Sequence, residues 1–423
     1  NSSTVKAADF DRDGDLDLFV GSRVTPFSYP IPEKAYLLRN DTKNNIPKFV
    51  NVTEKSSKEL AAGGLVSDAL WTDFNGDFWP DLIIASEWAP LRFFQNNSGQ
   101  LVEITKKTGI SDKLGWWNSL AAADIDNDGD IDYIAGNSGS NINFKGTAEE
   151  PVRLYAKDLD QNGTVDPLIS YYLRDSIGTR KEYLYHPWQD VTKQYVGIRK
   201  KFNSFGTFGA ATLPEIFSDG LLKDATVLSL NHMKSSWVEN LGKGKFKIHE
   251  LPIEAQLAPI YGIVAKHLNN DSFIDLLLIG NDFGMEVQQG RADALIGLTL
   301  LNTKNEGFRA VSIEESQFLV PGDGKGLVNI NVDAETSLLI ASQNNDSLRV
   351  FKPKNNHSKK LIKLLPNEIR VITKLTDGSE NVQEFYWGNS FKSQSSRSIY
   401  VNSNATSVQF FDFLGKETRK IDY

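Results

Sequence analysis

The feature that most constrains this chain is a nine-residue acidic loop that occurs four times. The copies occupy residues 9–17, 73–81, 124–132 and 158–166, and a fifth, degraded copy occupies residues 267–275. Each copy has oxygen-bearing side chains at most of its first, third, fifth and ninth positions. Turns rich in Asp, Asn and Gly are common in any chain, but four copies in one register are not. The loops therefore indicate a repeated structural unit that holds a cation.

The spacing of the oxygen atoms indicates calcium, which takes about 6–8 oxygen ligands in proteins. Side chains at alternate positions can all turn toward one ion, while position 7 offers its backbone carbonyl and a glycine at position 6 allows the bend. We expect four calcium sites and a fifth, weaker one. The predicted ligands are Asp9, Asp11, Asp13, Asp15 and Asp17; Asp73, Asn75, Asp77, Trp79 and Asp81; Asp124, Asp126, Asp128, Asp130 and Asp132; Asp158, Asp160, Asn162, Thr164 and Asp166; and Asn269, Asp271 and Asp275.

The residues after each loop exclude an EF-hand, which needs a glutamate at position 12 and a helix on either side. Position 12 is Val20, Ile84, Ala135 or Ile169 in the four loops. Short runs rich in Val, Ile and Leu follow the loops and are bounded by turn residues, which is typical of strands. Each loop is therefore predicted to connect two strands.

The loop starts, at residues 9, 73, 124, 158 and 267, suggest a unit of about 55 residues, a period typical of propeller blades. We predict an all-β chain with a seven-bladed β-propeller at 1–356. It carries an irregular insertion at about 140–215, with a helix over 188–202. From 357 to 423 the acidic loops stop. Strand-like segments at 369–375, 384–387, 397–401, 407–411 and 418–421 predict a small separate β-domain there.

Composition excludes several classes of protein. The net charge is −8, which four Ca²⁺ ions would cancel, and no basic cluster suits a nucleic acid. The absence of cysteine excludes disulfides, and no apolar run is long enough to span a membrane. Calcium loops favour an exterior compartment. Because the chain starts at Asn1 without a leader, we expect a processed or truncated product, with any signal or lipid anchor missing.

These loops resemble the FG-GAP/VCBS repeats of integrin α propellers and bacterial surface proteins. The tail resembles the UnbV/ASPIC module at residues 376–379, 387–390, 393–397 and 408–416. The middle is similar to exported VCBS proteins of Gram-negative bacteria at residues 158–167, 237–246, 251–259, 280–281 and 289–293. The resemblance implies a role on the cell surface, exterior to the outer membrane, next to SusC/SusD-like assemblies. An integrin is not indicated, because the tail differs and cysteine is absent.

No catalytic motif is present: the chain has no G-x-S-x-G, P-loop or H-E-x-x-H sequence. We therefore expect a non-catalytic calcium-binding surface module that binds a protein or a glycan, as an accessory subunit of an outer-membrane assembly. The alternative is a calcium-dependent polysaccharide lyase, for which His232, Arg291 or Tyr261 are the candidate groups. Of the adjacent pair Trp116 and Trp117, one is expected to emerge at the propeller mouth, because neighbouring strand residues face opposite sides.

Overall fold

The structure is a computed structural model that describes residues 2–423 except 219, 270, 272, 287–288, 305–306, 354–359 and 402–403. Antiparallel sheets dominate the described part of the chain, and its longest helix has seven residues. The all-β prediction is confirmed. The predicted boundary between residues 356 and 357 lies outside the described residues.

Five sheets of similar build follow one another along the chain. The first contains β1 (Ser2–Ala8), β2 (Asp17–Ser22), β3 (Tyr36–Asn40) and β4 (Phe49–Asn51). Helices α1 (Thr53–Ser56) and α2 (Lys58–Ala61) lead to the second, which contains β5 (Val66–Thr72), β6 (Asp81–Ala89), β7 (Arg92–Asn96), β8 (Leu101–Glu103) and the short β9 (Gly115–Trp116). A 3₁₀ turn at Thr105–Lys107 precedes β9. The third sheet starts with β10 (Ser119–Ala123) and β11 (Asp132–Gly136).

A long insertion then interrupts the third sheet. It has a sheet of its own, formed by β12 (Val152–Lys157), β13 (Asp166–Arg174), β14 (Arg180–Leu184) and β15 (Thr226–Leu230). Its helices are α3 (Trp188–Gln194), α4 (Ile198–Lys201), α5 (Phe205–Ala210) and α6 (Leu213–Ile216). The third sheet resumes with β16 (Ser236–Asn240) and β17 (Phe246–Glu250). The predicted insertion at 140–215 lies within this interval.

The predicted helix over 188–202 is divided in the structure into α3 and α4. Tyr195 is extended, with φ −137° and ψ 97°, and Gly197 follows. Valine and glycine both have low helix propensity, so Val196-Gly197 is a weak point for a helix. Val191 and Ile198 are nevertheless buried in the insertion's own core with the partly buried Tyr195, so the helical spacing correctly predicted the inward-facing side chains.

The fourth and fifth sheets complete the series. A 3₁₀ turn at Ile253–Gln256 leads to the fourth, which contains β18 (Ile260–Lys266), β19 (Asp275–Gly280), β20 (Leu298–Asn302) and β21 (Phe308–Val311). After α7 (Ile313–Ser316), the fifth contains β22 (Gly324–Asn331), β23 (Ser337–Gln343) and β24 (Arg349–Phe351). The first strands pack in chain order, β1 on β5, β5 on β10, β10 on β18 and β18 on β22. These are five sheets; a closed seven-bladed propeller stays a prediction.

The C-terminal region contains two further sheets. One pairs β25 (Lys360–Lys363) with β28 (Ser398–Val401), and the other contains β26 (Glu368–Leu375), β27 (Glu380–Glu384), β29 (Ala405–Asp412) and β30 (Glu417–Asp422). Residues 387–398 contact both ends of the series. Lys6 of β1 donates to the carbonyls of Gly388 and Ser390, while Asn329 of β22 bonds with Ser395 and Ser396. This segment therefore joins the first sheet to the fifth.

Candidate functional site

Four of the acidic loops connect the first and second strands of a sheet in the series, and one does not. The loops at 9–17, 73–81, 124–132 and 267–275 join β1 to β2, β5 to β6, β10 to β11 and β18 to β19. The loop at 158–166 instead joins β12 to β13 in the insertion, so it is not part of the repeat series. The loops that start at residues 124 and 158 are close in the sequence because the second of them belongs to the sheet of the insertion, not because a blade of the series is short.

The ninth position of each loop in the series fastens the loop to its own sheet. Asp17 accepts hydrogen bonds from the backbone of Phe10 at 3.1 Å and of Asn40 at 2.8 Å. Asp132 repeats the arrangement with Ile125 at 3.0 Å and Asn240 at 2.8 Å. The ninth-position carboxylate therefore links the second residue of the loop to the last residue of the third strand. The hydrogen bonds from these two backbone amides offset the cost of burying the carboxylate.

The asparagines at the ends of the third strands also connect neighbouring sheets. The amide of Asn96 donates to the carbonyl of Phe10 at 2.8 Å, that of Asn240 to Phe74 at 3.0 Å, and that of Asn302 to Ile125 at 2.8 Å. In each case the acceptor is the second residue of the preceding loop in the series. We call these three bonds the asparagine clamps.

Among the described residues, three loops bring carboxylates close enough to bind one ion. The clusters are Asp9, Asp11 and Asp17; Asp124, Asp126 and Asp128; and Asp158, Asp160 and Asp166, and within each the ligand atoms lie within 4.8 Å of one another. These groups match oxygen-only coordination of calcium.

The third loop is the best fit for a cation, because three of its buried carboxylate oxygens lack a hydrogen-bond partner among the described residues. Both oxygens of Asp124 and one of Asp130 are buried without a hydrogen-bond partner among the described residues. Burial and the neighbouring aspartates raise the pKa of Asp124 to about 7, and burial foremost raises those of Asp130 and Asp132 to about 7 and about 8. A divalent cation here would offset the repulsion between the neighbouring carboxylates, and it would be the partner that the buried oxygens of Asp124 lack.

The first loop has the same electrostatic character. Burial raises the pKa of Asp9 to about 6 and that of Asp17 to about 8. Asp9 accepts hydrogen bonds from the backbone of Asp13 and Gly14, both at 3.0 Å, which orients its carboxylate in the loop. In the insertion, Asp158 accepts from Asn162 at 3.0 Å and Gly163 at 2.8 Å in the same way.

The second loop differs, because a side chain from the C-terminal region neutralises it. The guanidinium of Arg370, on β26, lies 3.1 Å from the carboxylate of Asp73, and both side chains are largely buried. Glu384 accepts a hydrogen bond from the backbone of Asp73 at 3.1 Å and another from Thr72 at 2.7 Å. Asp73, Asn75, Asp77 and Asp81 remain predicted ligands, but here a calcium ion would share its first carboxylate with an arginine.

The fifth loop lacks a first-position carboxylate and is held together by its own side chains. Asn269 donates to Asp271 at 2.6 Å, and the ring of His267 bonds to the carbonyl of Phe273 at 2.8 Å. Asp275 keeps the fastening role of the ninth position, accepting from Leu268 and Asn302. Ser272, at its sixth position, lies outside the described residues.

A large cavity lies at the opposite ends of the same strands. It measures about 1130 Å³, and its wall includes residues near the start of each first strand and the end of each second strand in all five sheets, together with the insertion. Because the acidic loops join the other ends of those strands, the cavity and the loops are on opposite faces of the series. The chain leaves β11 and returns at β16 on the cavity side, so the insertion stands over it. We call this the insertion-side cavity.

Ion pairs between buried carboxylates and partly exposed cations organise the wall of the insertion-side cavity. Glu87, at the end of β6, pairs with Arg23 and accepts a hydrogen bond from the Tyr29 hydroxyl at 3.2 Å. Lys325 pairs with Asp323 at 2.8 Å and lies 3.8 Å from the ring centre of Tyr261, whose hydroxyl donates to Asp282 at 3.0 Å.

A backbone irregularity accompanies Glu87. The register of β6 shifts between Glu87 and Ala89, and the intervening Trp88 has a φ of +58°, which is rare for a bulky residue. Bulges re-aim side chains at the ends of strands. The sequence offered no sign of this bulge or of the cavity it borders.

The structure brings only one of the predicted lyase candidates into the cavity. Tyr261 lines it, whereas His232 lies against Trp117 with its ring nitrogen 3.1 Å from Ser236, and Arg291 lies over the ring of Phe283. Of the tryptophan pair, Trp116 lines the cavity and Trp117 is fully buried. Sequence reasoning thus found one aromatic of the wall but missed its ion pairs, of which Arg23–Glu87 joins the first sheet to the second.

Comparisons with known proteins give a family match for one part of the chain. Residues 73–135 match the model of the FG-GAP-like repeat, an interval that contains the second and third acidic loops. A search of the curated proteins found no match. Among the solved structures, the crystal structure of the V. cholerae biofilm matrix protein Bap1 is similar over 84% of this chain and 69% of that chain, with 10% identity and a TM-score of 0.28.

Proposed function

We propose that this chain, which carries an FG-GAP-like repeat at residues 73–135, is a non-catalytic calcium-binding module outside the cell that binds a protein or a glycan. In this proposal the calcium loops stabilise one face, and the opposite face, with the insertion and its cavity, carries recognition. The single observation that carries the proposal is the insertion-side cavity, whose wall draws on all five sheets. Sites of this kind are concave, aromatic-lined and fixed by a few placed polar groups.

Calcium is supported by the three carboxylate clusters and by the partnerless buried oxygens of Asp124. The test is metal analysis of the purified chain together with melting curves in calcium and in excess chelator. Calcium bound to the folded chain should raise the melting temperature by mass action. An identical melting curve in both conditions would show that the loops are turns without a metal role.

The proposed location is the exterior of a Gram-negative outer membrane, with docking to a SusC/SusD-like assembly. It is supported by the FG-GAP-like repeat and by the resemblance of the middle of the chain to exported VCBS proteins of Gram-negative bacteria. No helix in the described part of the chain is long and apolar enough to cross a membrane. Purification from native membranes in calcium, with and without the insertion, tests the docking. Recovery of the chain alone in both cases would rule out the assembly.

The second candidate is a polysaccharide lyase, favoured by the tyrosine in the cavity. Burial and the neighbouring Asp282 raise the pKa of Tyr261 well above its ordinary value. A base needs a pKa near the working pH, so this direction opposes the role. Incubation with uronic-acid polysaccharides, followed by the ultraviolet absorbance of unsaturated products, distinguishes the two candidates: product formation would replace the binding proposal with the lyase.

A further inference from the structure

The geometry of the insertion-side cavity points to a specific class of ligand. We propose that it binds a neutral, polyhydroxylated ligand, namely a segment of an oligosaccharide without uronate, sulfate or phosphate groups. This inference rests on the proposed function and deepens it, because it names the chemistry that the module recognises.

The charges of the wall disfavour an anionic ligand. Four basic and five acidic side chains line the cavity: Arg23, Lys193, Lys325 and Lys392, and Glu87, Asp190, Asp282, Glu286 and Asp323. Three of the bases are already in ion pairs, Arg23 with Glu87, Lys325 with Asp323 and Lys193 with Asp190. An acidic polysaccharide would have to break these pairs against an excess of negative charge.

The same pairs suit hydroxyl groups. Glu87 and Asp323 are almost fully buried, at 3% and 1% exposed, and each carboxyl group is oriented by an ion pair with a neighbouring cation. An ionised carboxylate has about four acceptor positions, so it can still accept hydrogen bonds from ligand hydroxyls. Hydrogen bonds to charged acceptors are about twice as strong as those between neutral groups.

Aromatic rings supply the apolar part of the wall. Trp116 packs beside Trp88 with ring centres 5.6 Å apart, and Tyr261 beside Phe391 at 5.2 Å. Trp116, Tyr261 and Phe391 line the cavity. Sugar rings are apolar on the faces where their C–H groups project and polar at their edges, so aromatic faces between hydrogen-bonding groups match them.

A buried hydrogen-bond donor in the wall has no acceptor in the described part of the chain, which indicates that the ligand provides one. The side-chain nitrogen of Asn118 is buried and has no hydrogen-bond partner among the described residues, and the residue, which is 4% exposed, lines the cavity. Leaving such a donor unsatisfied costs about 1–3 kcal/mol. A ligand hydroxyl or ring oxygen accepts a hydrogen bond from an amide, whereas a protonated amine has no lone pair with which to accept one.

The test uses the full chain in calcium and measures binding by calorimetry and tryptophan fluorescence. The probes are neutral gluco-, manno- and galacto-oligosaccharides, with oligogalacturonate, alginate oligomers and spermidine as charged counterparts. We expect at least one neutral series to bind and the charged probes to bind at least about tenfold more weakly, a difference of about 1.4 kcal/mol.

Two variants assign the binding to the cavity. Trp116→Ala should weaken binding at least about tenfold and Asn118→Ala about tenfold, while Trp116→Phe, which keeps a flat ring, should weaken it less. The matched control is Trp237→Ala, because Trp237 is also partly buried but stacks on His249 at 4.5 Å, away from the cavity. It should leave the affinity unchanged, with melting curves verifying that every variant folds.

The failure of this inference is distinguishable from the failure of the proposed function. Preference for a uronate or for spermidine, or equal loss in Trp237→Ala, overturns the neutral-glycan assignment. The absence of binding to every probe also overturns it, while a calcium-dependent melting curve and a membrane partner would leave the proposed function standing.

Discussion

Replacing Arg370 with methionine tests the arrangement at the second acidic loop most directly. The Arg370 and Asp73 side chains are 13% and 2% exposed, and the pair links β26 to a loop nearly 300 positions away in the chain. Glu384, which is partly buried beside Asp73, is also stabilised in its charged form by the same guanidinium. Methionine preserves much of the apolar volume, so the main loss is the charge.

Removing one partner of a buried ion pair costs about 3–5 kcal/mol, because an uncompensated charge stays behind. Asp73 retains hydrogen bonds from the backbone of Asp77 at 3.0 Å and Phe78 at 2.9 Å, so we expect the lower end, about 3 kcal/mol. Adding Asp73→Asn to Arg370→Met should recover part of the loss, since the orphaned charge is then removed. Calcium should protect Arg370→Met more than the wild type, because an ion can replace the guanidinium.

Urea unfolding followed by tryptophan fluorescence, with and without calcium, measures both effects as shifts of the midpoint. The control is Lys374→Met on the same strand, whose pair with Glu380 at 2.8 Å is 46% and 43% exposed. Exposed pairs contribute about 0–1 kcal/mol. Equal midpoints for Arg370→Met and Lys374→Met would refute the view that the arginine neutralises this loop.

Three further outcomes are expected. Asp124→Asn should lower the bound calcium by one ion per chain in metal analysis, whereas Asp41→Asn, outside the loops, should leave the count unchanged. Asn240→Ala should cost about 1–3 kcal/mol in urea unfolding, since it removes an asparagine clamp, and the exposed Asn97→Ala less than about 0.5 kcal/mol. Burial lowers the pKa of His186 below its ordinary value of about 6.5, so the folded chain favours the neutral imidazole. The unfolded chain therefore takes up a proton first as the pH falls below about 6.5, and the folded state loses stability. His186→Gln should therefore lose less stability than the wild type between about pH 7 and 5, measured by urea midpoints.

The local pattern of the acidic loops predicted their surroundings well. Apolar runs after the loops are β2, β6, β11, β13 and β19, each starting at the loop's ninth residue. In the C-terminal region, the strand-like segments at 369–375, 397–401, 407–411 and 418–421 correspond to β26, β28, β29 and β30 within one or two residues. The segment at 384–387 was misplaced, because β27 ends at Glu384, and β25 was not predicted. Strand propensity depends on pairing, which a single segment does not reveal.

Features that depend on distant residues could not be predicted. Nothing near Asp73 in the sequence identifies Arg370 as its partner, and the loop at 158–166 has the same local pattern as those of the series. The insertion-side cavity exists because residues from all five sheets of the series converge at one end of their strands. The position of the cavity depends on how the strands are connected and packed, which a nine-residue motif does not determine.

The bonds of Lys6 have a consequence for how the chain folds. Lys6 is 2% exposed, pairs with Asp68 at 2.9 Å, and donates to two carbonyls that lie 382 and 384 positions later. Closing a longer loop costs more entropy, and long-range contacts slow folding. Synthesis proceeds from the N-terminus, so β1 is made 382 and 384 positions before the two residues whose carbonyls complete the bonding of its buried ammonium. Until those residues emerge, the Lys6 ammonium lacks both carbonyls, so β1 is made early in synthesis but reaches its final bonding late.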